Sequence, residues 1–335
     1  MNESKPDTPL VSVWMITYNH ERYIAQAIEG VLMQKTNFKI ELVIGEDCST
    51  DNTAQIIKEY EKKYPQIIKP RFNQTNLGVI PNMIKTLNEC TGKYIALCEG
   101  DDYWTDPYKL QKQVDFLEKN PDHIMCFTNV SWCNENNKII KNRAIPLKED
   151  KTYIHSDMPI LAPTLTRLFR NIKLKEIPLK ENFIGFDAFL LIWQSNFGKI
   201  KYINEVTANY RIQSTGIWSN MGEYKQIYNK IKTYLCCLPI VEKSIISKFF
   251  LIAIKDTYRF PIKEHYLFNQ SLKLINYQYK QYKKHIPTKE RRIVKFLILL
   301  LMFPCLHRFS VFFRLKIFLV KILEKKIIKR GIPFN

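Results

Sequence analysis

Short apolar runs alternate with segments of helical periodicity over the first 120 residues, and this alternation restricts the possible fold more than any other feature. The runs Leu10–Tyr18, Ile40–Gly45 and Tyr94–Cys98 carry almost no charge. Between them, apolar residues recur three or four positions apart, the spacing of an amphipathic helix. Strand and helix repeat three times and end on a fourth strand. This order predicts an α/β fold: a mostly parallel sheet flanked by helices, with right-handed crossovers.

The same patterns predict the individual elements. Helices are expected at 22–34, 53–63, 80–90 and 108–119, and a further strand at 67–72. Beyond residue 120 we expect strands at 124–130 and 203–210, a hairpin-like excursion at 132–141, a loop entering a strand at 164–170, and two to four helices over 223–284.

Polar side chains gather where three of the predicted strands end. The three groups are Thr17, Tyr18 and Asn19; Glu46, Asp47 and Ser49; and Glu99, Asp101 and Asp102. Parallel strands bring their carboxyl ends to one edge of a sheet, where ligands of α/β proteins bind. The sequence therefore predicts one ligand crevice at this edge.

The third group, three carboxylates within four residues, predicts a cation site. Close carboxylates repel one another, and their oxygens suit a hard ion such as Mg²⁺ or Mn²⁺. The alternative is a solvated acidic turn before the helix that follows Asp106 and Pro107. Neither common type of glycine-rich phosphate loop is present, so a metal that bridges phosphates is the remaining obvious device.

Four motifs in this order resemble the family 2 glycosyltransferases with the GT-A fold: Val11–Asn19, Glu46–Asp51, Asn76–Gly78 and Glu99–Asp102. The resemblance covers about residues 8–220. Members of that family are inverting enzymes that use nucleotide-sugar donors. Glu46 stands where many members have Asp.

The resemblance implies roles for individual residues. Thr17, Tyr18 and Asp47 would line the nucleoside pocket, with the Asp47 carboxylate accepting from the base. Asp101 would lie near the ribose or the metal, and Asp102 would be a metal ligand. A carboxylate accepts the N3–H of uracil or thymine, which favours a UDP- or dTDP-sugar.

Asp187 is the candidate catalytic base. It is the one charged residue between Glu181 and Lys199, in an apolar and helical stretch. A partly buried acid suits a general base near neutral pH. The alternative is an N-cap for a helix that begins at Ala188. The stretch resembles the catalytic-base motif of the family, an acid before an apolar helix, and this favours the base.

Residues 210–219 resemble the family's loop over the donor diphosphate. Arg211 either pairs with phosphate, as a donor-binding residue, or with a carboxylate of the core, and arginine suits both. Gln213 stands where many members have His, so it offers an amide oxygen to the metal or contributes nothing.

The net charge of +19 is concentrated near the C-terminus, because residues 241–335 hold 21 Lys/Arg and 5 Asp/Glu. We divide the chain into a GT-A-like domain (1–220), a helical extension (221–288) and a basic amphipathic tail (289–335). In the tail, an apolar run at 296–303 is too short to span a bilayer. Basic residues then follow on one side of a helix. This pattern predicts a helix lying on an anionic membrane surface, the alternative being a helix packed on the core.

Together these features predict inverting sugar transfer to a hydroxyl of a glycan or lipid-linked acceptor, as in bacterial surface-polysaccharide assembly. The alternative is a non-catalytic nucleotide-sugar or membrane-tethered binding module. Nucleic acid is disfavoured as a partner, because long apolar runs are unsuited to phosphate contact. With no secretory signal and no CxxC pair among eight cysteines, we expect a cytoplasmic protein with reduced thiols, peripheral on the inner face of the plasma membrane.

Overall fold

The structure is a computed structural model that describes residues 8–172, 185–214, 216, 218 and 220–302. The first elements are β1 (Val11–Thr17), α1 (Ile24–Leu32), β2 (Ile40–Glu46), α2 (Thr53–Lys63), β3 (Ile68–Phe72), α3 (Val79–Asn88), β4 (Tyr94–Leu97), β5 (Tyr103–Trp104), α4 (Lys109–Lys119) and β6 (His123–Cys133). There follow β7 (Ile139–Lys141), β8 (Lys151–Tyr153), β9 (Leu168–Arg170), α5 (Phe186–Gln194), β10 (Lys199–Arg211), α6 (Glu223–Cys236), α7 (Ile246–Thr257), α8 (His265–Tyr282) and α9 (Thr288–Met302).

The chain forms two compact units. The first takes its residues from Met1–Ile154, Ile160–Asn182 and Phe197–Gly216. The second takes them from His155–Pro159, Phe183–Asn196 and Ile217–Asn335. The sheet belongs to the first unit, and helices α5 to α9 belong to the second.

A ten-stranded sheet organises the first unit, in the order β3-β2-β1-β4-β9-β6-β10-β5, with β7 beside β6 and β8 beside β10. Strand β1 lies between β2 and β4 and is parallel to both. Its residues Val11, Val13 and Met15 join the main apolar core, and Trp14 is also fully buried. Because both faces of β1 are covered, it reads as an unbroken apolar run.

The parallel half of the sheet, β3-β2-β1-β4, confirms the predicted alternation. The other half is mixed, because β9 runs antiparallel between β4 and β6. Strand β5 is also new: its two residues pair antiparallel with Ala208 and Asn209 of β10. This pairing ties the segment after the acidic loop, residues 98–102, to the last strand of the sheet.

Helices build the second unit around a core of its own, which includes Ile231, Leu235, Phe249 and Phe250. Three of them, α6 to α8, fall in the stretch where two to four were expected. None of the described helices combines the length and the apolar character needed to cross a membrane.

Helix α9 begins at the predicted start of the tail, but it is packed. Val294, Leu297, Ile298 and Leu301 are buried, and α9 lies against α7 and α8. Packing on the core is therefore observed for α9 itself, and the choice between a membrane-surface helix and a core helix for the residues after it stays open as predicted. The cationic segment after Met302 lies outside the described residues.

Candidate active site

Backbone hydrogen bonds bring the three polar strand ends together in the first unit. The Asp47 N–H donates to Thr17 O at 3.1 Å, and the Gly100 N–H donates to Ile16 O at 3.0 Å. A Cβ at Gly100 would lie 2.8 Å from the Thr17 side chain, so only glycine permits this approach. The ends of β1, β2 and β4 thus form one edge, as predicted.

Asp102 lies at this edge in surroundings that disfavour its negative charge. Its carboxyl is buried and Oδ1 accepts the Arg211 N–H at 2.7 Å. Burial raises the pKa of Asp102 well above its ordinary value, and the negative charges of Asp101 and Glu99 raise that pKa further. Ionised Asp102 is therefore unfavourable until a positive charge arrives.

A divalent cation fits this chemistry. Asp101 Oδ2 accepts from Gln213 Nε2 at 2.6 Å and lies 4.0 Å from His20 Nε2. Within the described part of the chain, no three His, Cys, Asp or Glu side chains are grouped as a protein-only metal cage. Magnesium-type sites commonly use one or two carboxylates and complete their shell with substrate phosphates and water. Asp102, with Asp101 beside it, suits such a shared site.

Arg211 holds the acidic loop in place through its side chain, which donates to the backbone of the loop at Asp101. Its guanidinium is 2% exposed and donates to Asp101 O, Asn137 Oδ1 and Gln26 Oε1, each at 2.8 Å. It also lies over the Tyr23 ring, 4.5 Å from the ring centroid. These neutral protein acceptors occupy its nitrogens, so Arg211 acts as a positioning residue. The Arg211 charge also acts on the Asp102 carboxyl and lowers its pKa, against the raising effect of burial. The predicted contact of Arg211 with the donor phosphate stays a prediction.

Gln213 has a defined partner as well. Its amide nitrogen donates to the Asp101 carboxylate, and the residue is 5% exposed. The structure therefore gives Gln213 a donor role toward Asp101, and a contact of its amide oxygen with the metal stays a prediction.

Asp47 is more enclosed than the resemblance implies. Oδ1 accepts from Asn73 Nδ2 and from the Leu77 N–H, both at 2.9 Å, and Oδ2 accepts from the Gly78 N–H at 2.9 Å. Gly78 has a φ of 83°, which favours glycine. Asp47 therefore fixes the Asn76–Gly78 turn, and Oδ2 has a second acceptor position for a nucleobase.

Thr17 and Tyr18 lie at the end of β1. Thr17 is buried, whereas Tyr18 is 42% exposed and its ring is accessible to a ligand.

His20 lies at this edge as well, although the sequence analysis assigns it no role. Its Nδ1 lies 3.2 Å from Thr17 Oγ1, and its backbone N–H donates to Thr53 Oγ1 at 2.8 Å. Its other ring nitrogen faces Asp101. The available signal was its position three residues after the end of β1, the edge at which the other polar residues gather.

Asp187 lies in the second unit. Helix α5 begins at Phe186 with Gly185 as its N-cap, so Asp187 is in the first turn and is not the cap. A carboxylate is favourable there because the N-terminal end of a helix is electropositive. Asp187 is half-buried, and its charge contributes to raising the pKa of Tyr234 on α6, after burial and two other groups.

Several known proteins are similar to this chain. An uncharacterized protein of Mycobacterium bovis is 37% identical over 62% of this chain, and the match spans 60% of the length of that relative. The putative teichuronic acid biosynthesis glycosyltransferase TuaG of Bacillus subtilis is 28% identical over 63% of this chain and 82% of its own.

Solved structures share the fold. The S. aureus protein TarS, in complex with UDP-GlcNAc, superposes with a TM-score of 0.63 at 17% identity over 86% of each chain. The mannosyltransferase PcManGT of Pyrobaculum calidifontis, in complex with GDP-Man and Mn²⁺, superposes with a TM-score of 0.57 at 10% identity, over 89% of this chain and 87% of its own. Residues 12–188 match the model of glycosyl transferase family 2. The chain therefore belongs to glycosyltransferase family 2, with the GT-A type of fold.

Proposed function

We propose that the chain transfers a sugar, with inversion, from a nucleoside diphosphate sugar to a hydroxyl group of a glycan or lipid-linked acceptor. One observation carries the proposal: the buried, charge-crowded Asp102 lies at the same sheet edge as Thr17 and Asp47. A carboxylate kept in unfavourable surroundings is typical of a functional site.

Each residue has a role in this reaction. Thr17, Tyr18 and Asp47 hold the nucleoside, and Asp101 lies beside the ribose and the metal site. Asp187 removes the proton of the acceptor hydroxyl. The hydroxyl oxygen then attacks the anomeric carbon in line with the departing nucleoside diphosphate. Asp102 and Asp101 would hold Mn²⁺ or Mg²⁺, which as a Lewis acid stabilises charge on the departing diphosphate.

The donor that we favour is a UDP- or dTDP-sugar. The free acceptor position of Asp47 Oδ2 matches the N3–H of uracil or thymine. The UDP-GlcNAc complex of TarS supports this choice, whereas the GDP-Man complex of PcManGT shows that the same fold also takes a purine nucleotide.

For the acceptor we propose a surface polysaccharide of a bacterium or its lipid-linked precursor. The names of TuaG and of the putative glycosyltransferase EpsE, 43% identical over 33% of this chain and 40% of its own, support a transferase of this kind. We further propose that the enzyme works on the cytoplasmic face of the plasma membrane, held there by the basic residues after Met302.

A donor screen tests the proposal. Purified protein is incubated with a panel of nucleotide sugars and Mn²⁺, and release of nucleoside diphosphate is followed with and without EDTA. We expect slow, Mn²⁺-dependent hydrolysis of one donor and faster release with acceptor. Binding without any release, with every donor and acceptor, would instead identify a nucleotide-sugar binding module.

A further inference from the structure

One helix of the second unit carries a row of exposed side chains that the core does not use. The basic-aromatic stripe consists of the exposed residues Lys263, Tyr266, Lys273, Tyr277, Lys280 and Lys284, with the half-buried Gln270 between them. Successive members are three or four residues apart, which places them along one side of α8 and its flanking helical turns. At 1.5 Å per residue the stripe is about 30 Å long.

The exposure of the stripe is unusual for its residue types. Tyr266 is 72% exposed and Tyr277 is 59% exposed, although tyrosine rings are generally half-buried or better. The opposite side of α8 packs through Phe268, Ser271 and Ile275. One side of α8 is therefore buried in the core of the second unit, and the other side, which carries the stripe, is exposed.

Charge identifies the kind of partner. Helix α8 contains no Asp or Glu, and residues 263–302 hold nine Lys/Arg against two Glu. Helix α9 of the same unit adds exposed apolar side chains, Phe296 at 53%, Leu299 at 43% and Met302 at 50%. A partner that satisfies both features is anionic at its surface and apolar beneath it.

We propose that the basic-aromatic stripe lies on an anionic lipid bilayer. Lysine side chains would contact the lipid phosphates, and the tyrosine rings would occupy the headgroup layer, where a ring with one polar end is favoured. An anionic glycan in water would match the lysines but leave the apolar side chains of α9 exposed, so the bilayer is the better fit.

This inference deepens the proposed membrane location and rests on it, but it assigns the contact to described helices of the second unit. Attachment is then independent of the sheet edge that binds the donor. Loss of the stripe should change where the enzyme is and leave donor hydrolysis unchanged.

The test uses full-length protein and flotation with vesicles. One set of vesicles is phosphatidylcholine, and the other is phosphatidylcholine and phosphatidylglycerol in equal parts. The charge variant is Lys273→Gln with Lys280→Gln. Its matched control is Lys62→Gln with Lys119→Gln, two exposed lysines on helices of the first unit. Mn²⁺-dependent donor hydrolysis is measured for all proteins.

We expect wild-type protein and control to bind the anionic vesicles and to float poorly with phosphatidylcholine alone. The charge variant should partition roughly 25-fold less, since each lysine near an anionic surface contributes about a fivefold factor. A second variant, Tyr266→Ser with Tyr277→Ser, should lose mainly the binding that persists at high salt.

Equal partitioning of the charge variant and wild type would overturn the proposal. Equal binding of wild type to the anionic vesicles and to phosphatidylcholine vesicles would overturn it as well. Weaker binding of the charge variant to an anionic polysaccharide, with vesicle binding unchanged, would also overturn it and identify a glycan surface. Donor hydrolysis is measured separately from vesicle binding. Vesicle binding that does not depend on the stripe would therefore not contradict the proposed sugar transfer, and an absence of hydrolysis would not contradict the proposed lipid contact.

Discussion

The carboxyl group of Asp102 is held by the fold in surroundings that oppose its ionisation. Water is excluded from it, two other acids face it, and the Arg211 backbone bonds one of its oxygens. A stored repulsion of this kind is released when a cation binds, so the free energy of binding includes the relief of the repulsion. The proposed metal site would thus be gained at some cost to the stability of the metal-free protein.

Replacing Asp102 should separate these two effects. Asp102→Asn keeps the shape and the acceptor for the Arg211 N–H but removes the charge. We expect metal-dependent donor binding to be lost, while the metal-free variant is at least as stable as wild type, because the repulsion is gone. Calorimetric titration with donor and Mn²⁺ checks the first result, and urea unfolding checks the second. Retention of Mn²⁺-dependent binding would assign the metal to other residues.

For the proposed base, Asp187→Asn removes the proton acceptor at nearly constant volume. Sugar transfer should fall by at least about 10²-fold, the lower range for general base catalysis. Binding of nucleoside diphosphate should be unchanged, since the donor contacts proposed above belong to the first unit. Steady-state transfer and equilibrium binding are the two measurements. A near wild-type rate would show that Asp187 serves only the first turn of α5.

Lys109 is a fully buried amine that lies over the Trp104 ring and donates to Gln113 Oε1 at 2.8 Å. Burial lowers the pKa of Lys109 from 10.5 to about 7. Between these values the unfolded chain carries the proton and the folded chain does not, so stability rises as pH increases from about 7 towards 10.5 and is lost as pH falls from 10.5 to about 7.

The variant Lys109→Met removes this titration. From pH 7 to pH 8.5, wild type should gain up to about 2 kcal/mol of unfolding free energy relative to the variant, the limit for one proton. Urea unfolding at both pH values measures the difference, and thiol ionisation, common to both proteins, cancels. A constant difference would mean that Lys109 stays charged, held by the face of Trp104.

At the scale of elements, the acidic loop depends on parts of the chain that are far apart. Arg211 joins the end of β10 to Asp101, to Gln26 on α1 and to the turn between β6 and β7 that contains Asn137. That turn is held a second time, because Glu135 Oε1 accepts from Ser214 at 2.8 Å. The acidic loop is therefore held by contacts to three separate elements of the first unit.

Arg211→Lys should loosen this arrangement without removing its charge. Lysine cannot reproduce the planar set of donors, and several acceptors lose their partner, each at about 1 kcal/mol. We expect weaker Mn²⁺-dependent donor binding with a smaller change in the turnover of bound donor. Lys138→Gln, an exposed charge change on the same β6–β7 turn, is the matched control. A variant with unchanged donor affinity would restrict Arg211 to a role in stability.

Elements with strong periodicity could be predicted from the sequence, and those without it could not. Helix α2 has the predicted bounds, and β1 and β2 differ by a residue or two, because each is long enough to show its pattern. Strand β5 has two residues, too few for any period, and was not predicted. Strand β9 has three residues and was expected only as a strand entered by a loop within 164–170. The clamp by Arg211 was also missed, because its acceptors are a carbonyl and two amides with no sequence signature.

At the scale of the whole molecule, the proposed donor site and the proposed lipid contact belong to different units. A chain that ends after Met302 keeps α9, and the buried side of this helix packs on α7 and α8. It should fold, bind donor as wild type does, and use a lipid-linked acceptor less well than the full chain, because it keeps the basic-aromatic stripe but loses the basic residues after Met302. Ending the chain at 288 instead should cost several kcal/mol, because four buried aliphatic side chains are lost. Donor titration, acceptor assays and thermal unfolding of both truncations test this arrangement.

The bond from the Arg211 N–H to Asp102 joins residues 109 positions apart, and this separation imposes an order on biosynthesis. The strands β1 to β4 leave the ribosome early and can pair at once. The acidic loop has to wait for β10, so a nascent or cleaved chain that stops short of residue 211 carries the sheet edge without a finished cation site. The proposed metal binding would thus report that the chain has been translated through the end of β10.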